Sequence, residues 1–252
     1  MMSEKSEENH KTEIGVIFDL DGTILNSTNL VARIPKELAK KYNVSISPSV
    51  KKEIEEKILN TLKGRGGKFM VLRLVLYVAK KYRVPWHLRI KYVKDAGILY
   101  KKMIKTVPIF PGAQETLEFL VKKNIPIAIN TTSSKQEVLD RFKDREEFLT
   151  LFNGNIITRT DIRKFKPHPE SIHVISQKIK VPVHNLIMIG DMDADIEGGK
   201  NAGCITVGVL SGYATKEKMK NYNPDFIIES IKDLPEMFPN ILQKIDSSHI
   251  RS

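Results

Sequence analysis

Between residues 107 and 242, amphipathic stretches of helical length alternate with runs of four to six mostly apolar, often β-branched residues. Helical spacing covers 113–123, 135–143, 169–179, 194–202 and 231–242, and the apolar runs are 126–130, 155–158, 185–190, 204–209 and 225–228. Strands this short and apolar are buried on both faces, as parallel strands covered by helices are. A further run, Ile14 to Phe18, stands far upstream. The pattern predicts an α/β fold with a doubly wound, Rossmann-like parallel sheet. Functional residues then belong beyond the carboxyl ends of the strands.

Those ends carry the polar residues. Ile14–Phe18 opens onto Asp19-Leu20-Asp21-Gly22. Residues two apart in an extended chain point the same way, so both carboxylates converge at the strand's mouth, and Gly22 permits a sharp departure. Like charges this close are costly unless a cation or a shared proton relieves them. The spacing fits a metal site with a carboxylate nucleophile and a neighbouring acid/base; it also fits a polar Asp-Gly turn. Ile127–Asn130 runs into Thr131 and Thr132, Lys166-Pro167 follows a basic loop, and Leu186–Gly190 runs into Asp191, with Asp195 four residues on. Taken alone, Asp191 and Asp195 also read as a helix N-cap and a first-turn acid.

Residues 28–106 interrupt this alternation with helical patterning. Val50, Ile54, Ile58 and Leu62 recur at i+4 across 50–62, and Val93 to Ile104 follows i, i+3, i+4, i+7 spacing. Pro85 fits the first turn of the last of about four helices. The third, 68–83, is apolar nearly all round at its start and is expected at the centre of a bundle. The segment holds 20 Lys and Arg against 5 Asp and Glu, whereas 107–252 holds 19 of each. The division expected is a disordered tail over 1–13, an α/β core from 14–27 and 107–242, an inserted helical cap over 28–106, and a C-terminal tail over 243–252.

The four polar strand ends, in this order, resemble the four motifs of the haloacid dehalogenase superfamily. The early helical insert resembles the cap of its phosphoglycolate phosphatase and β-phosphoglucomutase branch. The resemblance implies a phosphatase that forms an aspartyl-phosphate on Asp19, with Asp21 as general acid and base. It implies Mg²⁺ held by Asp19, the Asp21 carbonyl, Asp191 and Asp195, a usual arrangement for this hard cation. Thr131 would offer its hydroxyl and backbone N–H to the phosphate, beside Thr132 and the backbone around Gly22. Lys166 would offset the charge on the nucleophile and the phosphoryl oxygens. The Gly64-Arg65-Gly66-Gly67 loop with Lys68 resembles a specificity loop, in which Arg65 and Lys68 would bind a carboxylate or second phosphate. A small phosphorylated metabolite is the expected partner, phosphoglycolate first. A phosphomutase using the same aspartates is the alternative. From another class, the basic insert alone could grip nucleic acid or another anionic surface, although no nucleic-acid motif accompanies it.

One cysteine, Cys204, excludes an intramolecular disulfide and fits a reducing cytosol, with a packing role expected for the thiol. The charged residues 1–13 lack the apolar stretch of a secretory signal. The most apolar stretch, 69–79, is interrupted by Arg73 and is too short for a bilayer span of about 20 residues. A soluble cytoplasmic enzyme is expected.

Overall fold

The computed structural model describes residues 14–62 and 68–249. In chain order the elements are β1 (Gly15–Phe18), α1 (Asn29–Lys41), α2 (Pro48–Leu62), α3 (Lys68–Lys81), α4 (Arg89–Ile104) and α5 (Ala113–Lys122). They continue with β2 (Ile127–Asn130), α6 (Lys135–Phe142), α7 (Glu146–Thr150), β3 (Ile156–Ile157), α8 (Glu170–Ile179) and β4 (Leu186–Gly190). The chain ends on α9 (Asp193–Ala202), β5 (Ile205–Val209), α10 (Lys216–Tyr222), β6 (Phe226–Ile228) and α11 (Leu234–His249).

All six strands are parallel, in the order β3-β2-β1-β4-β5-β6. Alternate residues face opposite layers. Val16 and Phe18 of β1 point into a core shared with Leu117 and Leu120 of α5 and with Phe238, Ile241 and Ile245 of α11. Ile17, between them, packs with Ile172 and Ile175 of α8 on the other side. The result is the expected doubly wound α/β sheet. From β1 the chain builds outward through β2 and β3, then crosses back to β4 on the far side of β1. That reversal opens a crevice between β1 and β4 at their carboxyl ends.

The helices α1–α4 hold a hydrophobic cluster of their own, built from Leu38, Ile54, Val78, Ala79, Tyr82, Tyr92 and Ala96 among others. Ile34 and Leu99 pack against both this cluster and the sheet core. The two crossings between the layers run side by side: Asn26 N–H donates to Pro108 O at 2.9 Å and Phe110 N–H to Ile24 O at 2.8 Å.

Two expectations are corrected. Helix α3 is not central: α1 packs on α2 and α4, and α3 packs on the same two helices, so its outer face meets solvent and Leu72 is 39% exposed. The segment 243–252 is not a tail along its length, because α11 runs on to His249. Ile245 continues the buried face of Phe238 and Ile241, which offsets the backbone hydrogen bond lost at Pro239 within the helix. The short helices α7 and α10 add to the expected set. The expected 1–13 tail and the Gly64–Gly67 loop lie outside the described residues. Cys204 is buried and burial pushes its thiol up to about 12, in keeping with a packing role. Among the described residues, no helix is long and apolar enough to cross a membrane.

Candidate active site

Asp19 leaves β1 one residue past its end, still joined to the sheet through its N–H to Ile189 O at 2.8 Å. Asp191 leaves β4 in the same way, on the other side of the crevice. Gly22 turns the chain with φ +88°, a conformation L-residues avoid, and a side chain there would collide with the Asp191 carboxylate. Gly212, after β5, lies against the same carboxylate with equally little room. Asp195 sits in the first turn of α9, where its Oδ2 accepts from Met192 N–H at 3.1 Å and its charge complements the helix N-terminus.

These elements bring the carboxylates of Asp19, Asp191 and Asp195 together, with one oxygen from each within 4.8 Å of the others, all three buried. Lys166 reaches in from the loop before α8. Its ammonium donates to Asp19 Oδ1 at 2.6 Å, Asp195 Oδ1 at 2.6 Å and Asn130 O at 3.0 Å. All three of its hydrogens are used. The neighbouring carboxylates hold its pKa above the usual lysine range against a desolvation that pulls it down. Lys164, two residues earlier, is exposed.

Three carboxylates against one ammonium leave an excess of two negative charges out of water. The strain appears in the acids. Burial raises Asp19 to about 7, with Lys166 opposing, and burial together with the Asp19 and Asp195 charges raises Asp191 well above the usual carboxylate range. Asp191 Oδ2 accepts from Tyr213 N–H at 2.8 Å, while its Oδ1 is buried without a partner. An orphaned carboxylate oxygen facing a charge excess of two is what a divalent cation would satisfy, so the donor set fits a hard metal ion.

Asp21 lies beside this cluster. Its Oδ2 accepts from Arg141 at 2.7 Å and Ser133 Oγ at 3.4 Å, whereas its Oδ1 is buried and unpartnered. Thr131 is buried at the end of β2, but its N–H extends the ladder to Ile157 O at 3.0 Å. Only its hydroxyl, which also accepts from Ser133 N–H at 3.1 Å, is left for a ligand, contrary to the expectation that both groups are free. Gly22 N–H is likewise taken, by Leu25 O at 2.8 Å. Thr132 is exposed at the rim. Arg65 lies outside the described residues, as does the side chain of Lys68.

Sequence reasoning missed Arg141, Ser133 and the segment Ser211-Gly212-Tyr213. A signal for Arg141 existed: it shares the apolar face of α6 with Val138 and Phe142, where a charge has no business unless paired. Ser211 to Tyr213 follow a strand's carboxyl end, where site residues gather; Ser211 Oγ donates to Gly22 O at 3.1 Å.

The sequence model of the haloacid dehalogenase-like hydrolase family matches residues 16–209, which includes every aspartate described above. The chain belongs to that family. It is therefore a hydrolase-family enzyme, and similar proteins are phosphatases by name. Pyrophosphatase PpaX of Oceanobacillus iheyensis is 29% identical over 219 residues, spanning 87% of this chain and 94% of that protein. Phosphoglycolate phosphatase of Haemophilus influenzae is 26% identical over 223 residues, spanning 86% and 94%. The fold matches the crystal structure of β-phosphoglucomutase from Clostridium difficile with a TM-score of 0.64 at 22% identity, over 95% of this chain and all of that one.

Proposed function

We propose that this hydrolase releases phosphate from a small phosphate monoester, phosphoglycolate first among them, through an aspartyl-phosphate on Asp19. The observation that carries the reading is the pairing of two unlike carboxylates. Asp19 is buried and clamped through Oδ1 by Lys166, which leaves Oδ2 to attack. Asp21 is more open and keeps an unpartnered Oδ1 beside it. In the first step Asp19 Oδ2 forms a bond to phosphorus as the bond to the ester oxygen breaks, and Asp21 gives that oxygen its proton. In the second, water attacks phosphorus, Asp21 takes its proton, and the bond to Asp19 breaks. The Thr131 hydroxyl holds a phosphoryl oxygen, and the Lys166 charge stabilises the transferring group.

Asp19, Asp191, Asp195 and the Asp21 carbonyl would hold Mg²⁺. When bound, the ion supplies positive charge that keeps Asp19 ionised and offsets the phosphoryl charge. The helices over 28–106 act as a cap that admits the substrate, and Arg65 and Lys68 contribute to its choice. A single buried thiol and the lack of a spanning helix among the described residues fit a cytosolic enzyme.

Phosphate release from a panel of phosphorylated acids, sugars and pyrophosphate, with Mg²⁺ and then with EDTA, tests this reading. Release that stops on chelation and returns with Mg²⁺ is expected. Conversion of β-glucose 1-phosphate to glucose 6-phosphate without free phosphate would establish the mutase instead.

The raised acids also predict how the metal acts on stability. A carboxyl raised in the folded state contributes stability fully present below its unfolded pKa and lost as pH rises through the folded value. For Asp19 that loss runs from about pH 4 to about pH 7, and Asp191 adds to it in the same direction. Without metal, Tm should fall across this range. Mg²⁺ replaces the missing charge, so the Tm gain from millimolar Mg²⁺ should be large at pH 8 and small at pH 5. Equal gains at both pH values would mean that the ion binds elsewhere.

A further inference from the structure

Among the described residues, Arg141 is the one buried guanidinium beside the proposed acid, and nothing in the hydrolytic steps above uses it. Its side chain is 2% exposed, on the second turn of α6. One donor goes to Asp21 Oδ2 at 2.7 Å, and Nε is buried with no partner. A guanidinium offers five donors in a planar fork suited to two-point contact with a carboxylate or phosphate. Here that fork is only part-used, and its ionic partner, Asp21, is 29% exposed and therefore within a ligand's reach. Tyr100 of α4, itself 39% exposed, stands nearby, and its hydroxyl interacts with both Arg141 and Asp21. A fully buried, half-satisfied arginine is costly as a structural element, since an apolar residue would fill the same space without the desolvation penalty.

We propose that Arg141 forms a second anion subsite, which receives an anionic group on the substrate's leaving side, a few bonds from the ester oxygen. The placement follows from Asp21. If Asp21 protonates the leaving oxygen, as proposed above, that oxygen lies within hydrogen-bond distance of Asp21, and Arg141 lies just beyond. A carboxylate two atoms from the ester oxygen, as in phosphoglycolate, falls within its span; so does the second phosphate of pyrophosphate. Both present the same chemistry, a compact anion able to engage the fork at two points. Binding there releases the Arg141 contact to Asp21 in favour of the substrate. The enzyme thereby favours esters whose leaving group carries its own negative charge, and it does so from within the core. The inference rests on the hydrolytic reading of Asp19 and Asp21.

The test compares kcat/KM for phosphoglycolate, pyrophosphate and ethyl phosphate in wild type, Arg141→Gln and Arg141→Lys, with Mg²⁺ present. Ethyl phosphate releases a two-carbon alcohol like phosphoglycolate but has no second anion. Arg141→Gln should lose at least tenfold more on one or both acidic substrates than on ethyl phosphate, mostly through KM, and the acid that loses most identifies the group received. Arg141→Lys keeps the charge and the pair with Asp21 but lacks the fork; it should lose less, in the same pattern, and it carries the comparison if the Gln variant does not fold. Equal losses on all three substrates would make Arg141 only a positioning residue for Asp21 and overturn the subsite. Wild type active on ethyl phosphate and on neither acid would overturn it too, with hydrolysis still standing. Wild type that releases phosphate from none of the three would overturn the subsite; if it also releases none from the sugar phosphates of the wider panel, the hydrolytic reading falls too.

Discussion

Asp19→Asn should abolish phosphate release, by about 10⁴-fold or more, while the protein stays folded. The amide carries no charge and attacks phosphorus poorly, and removing a covalent nucleophile costs on this scale in other hydrolases. The fold should survive because Asp19 sits in a cluster already overloaded with negative charge. Burial raises its pKa to about 7, so the native state gains little from its ionised form. Loss of the charge leaves Lys166 with Asp195 and the Asn130 carbonyl, at 2.6 and 3.0 Å. Circular dichroism should therefore match wild type, and Tm without metal should hold or rise at pH 8. The gain in Tm from Mg²⁺ should shrink, since one of three acidic donors is gone. Beryllium fluoride, a mimic of the phosphoryl group on an aspartate, should inhibit wild type and leave no mark on the variant. Residual turnover above a few per cent of wild type would remove Asp19 from the role of nucleophile.

Much of the fold was legible because it rests on short-range pattern. Runs such as Ile127–Asn130 and Leu186–Gly190 are apolar on both faces, and only a covered parallel sheet buries them so. The place of the site followed, since Asp19, Thr131 and Asp191 each stand at the carboxyl end of a strand that the pattern had marked. What escaped depends on distance in sequence. Arg141 lies 120 residues from Asp21 and meets it only because β2 and β1 are neighbours. Tyr213 reaches Asp191 because β5 pairs with β4. The fate of the Thr131 N–H was hidden for a related reason: β3 is only two residues long, yet its register carries Ile157 O to that donor. Helix α11 was legible over 231–242, prolines included; only its last turns, to His249, escaped, because Ile245 alone extends the buried face there.

The Arg141 contact gives Asp21→Asn two separable effects. Turnover of an alkyl phosphate should fall about 10²–10⁴-fold, the usual worth of a general acid and base, because an amide can neither give nor take the proton. p-Nitrophenyl phosphate should suffer least, as its leaving group departs without help. Stability should fall as well. The substitution leaves a guanidinium with 2% exposure facing an amide instead of a carboxylate. Orphaning one partner of a buried pair costs about 3–5 kcal/mol, but here Asp21 is 29% exposed and solvent screens part of that cost, so about 1–3 kcal/mol is expected. In a chain of this size that is a fall in Tm of a few degrees or more. Adding Arg141→Gln to Asp21→Asn removes the stranded charge, so Tm should recover part of the loss while turnover stays low. The measurement is a double-mutant cycle in Tm beside kcat for ethyl phosphate. If the double variant is no more stable than Asp21→Asn alone, the ion pair carries little of the stability. If Asp21→Asn keeps wild-type kcat on ethyl phosphate, the proton comes from another group, and the carboxylate that Arg141 holds at 2.7 Å is structural.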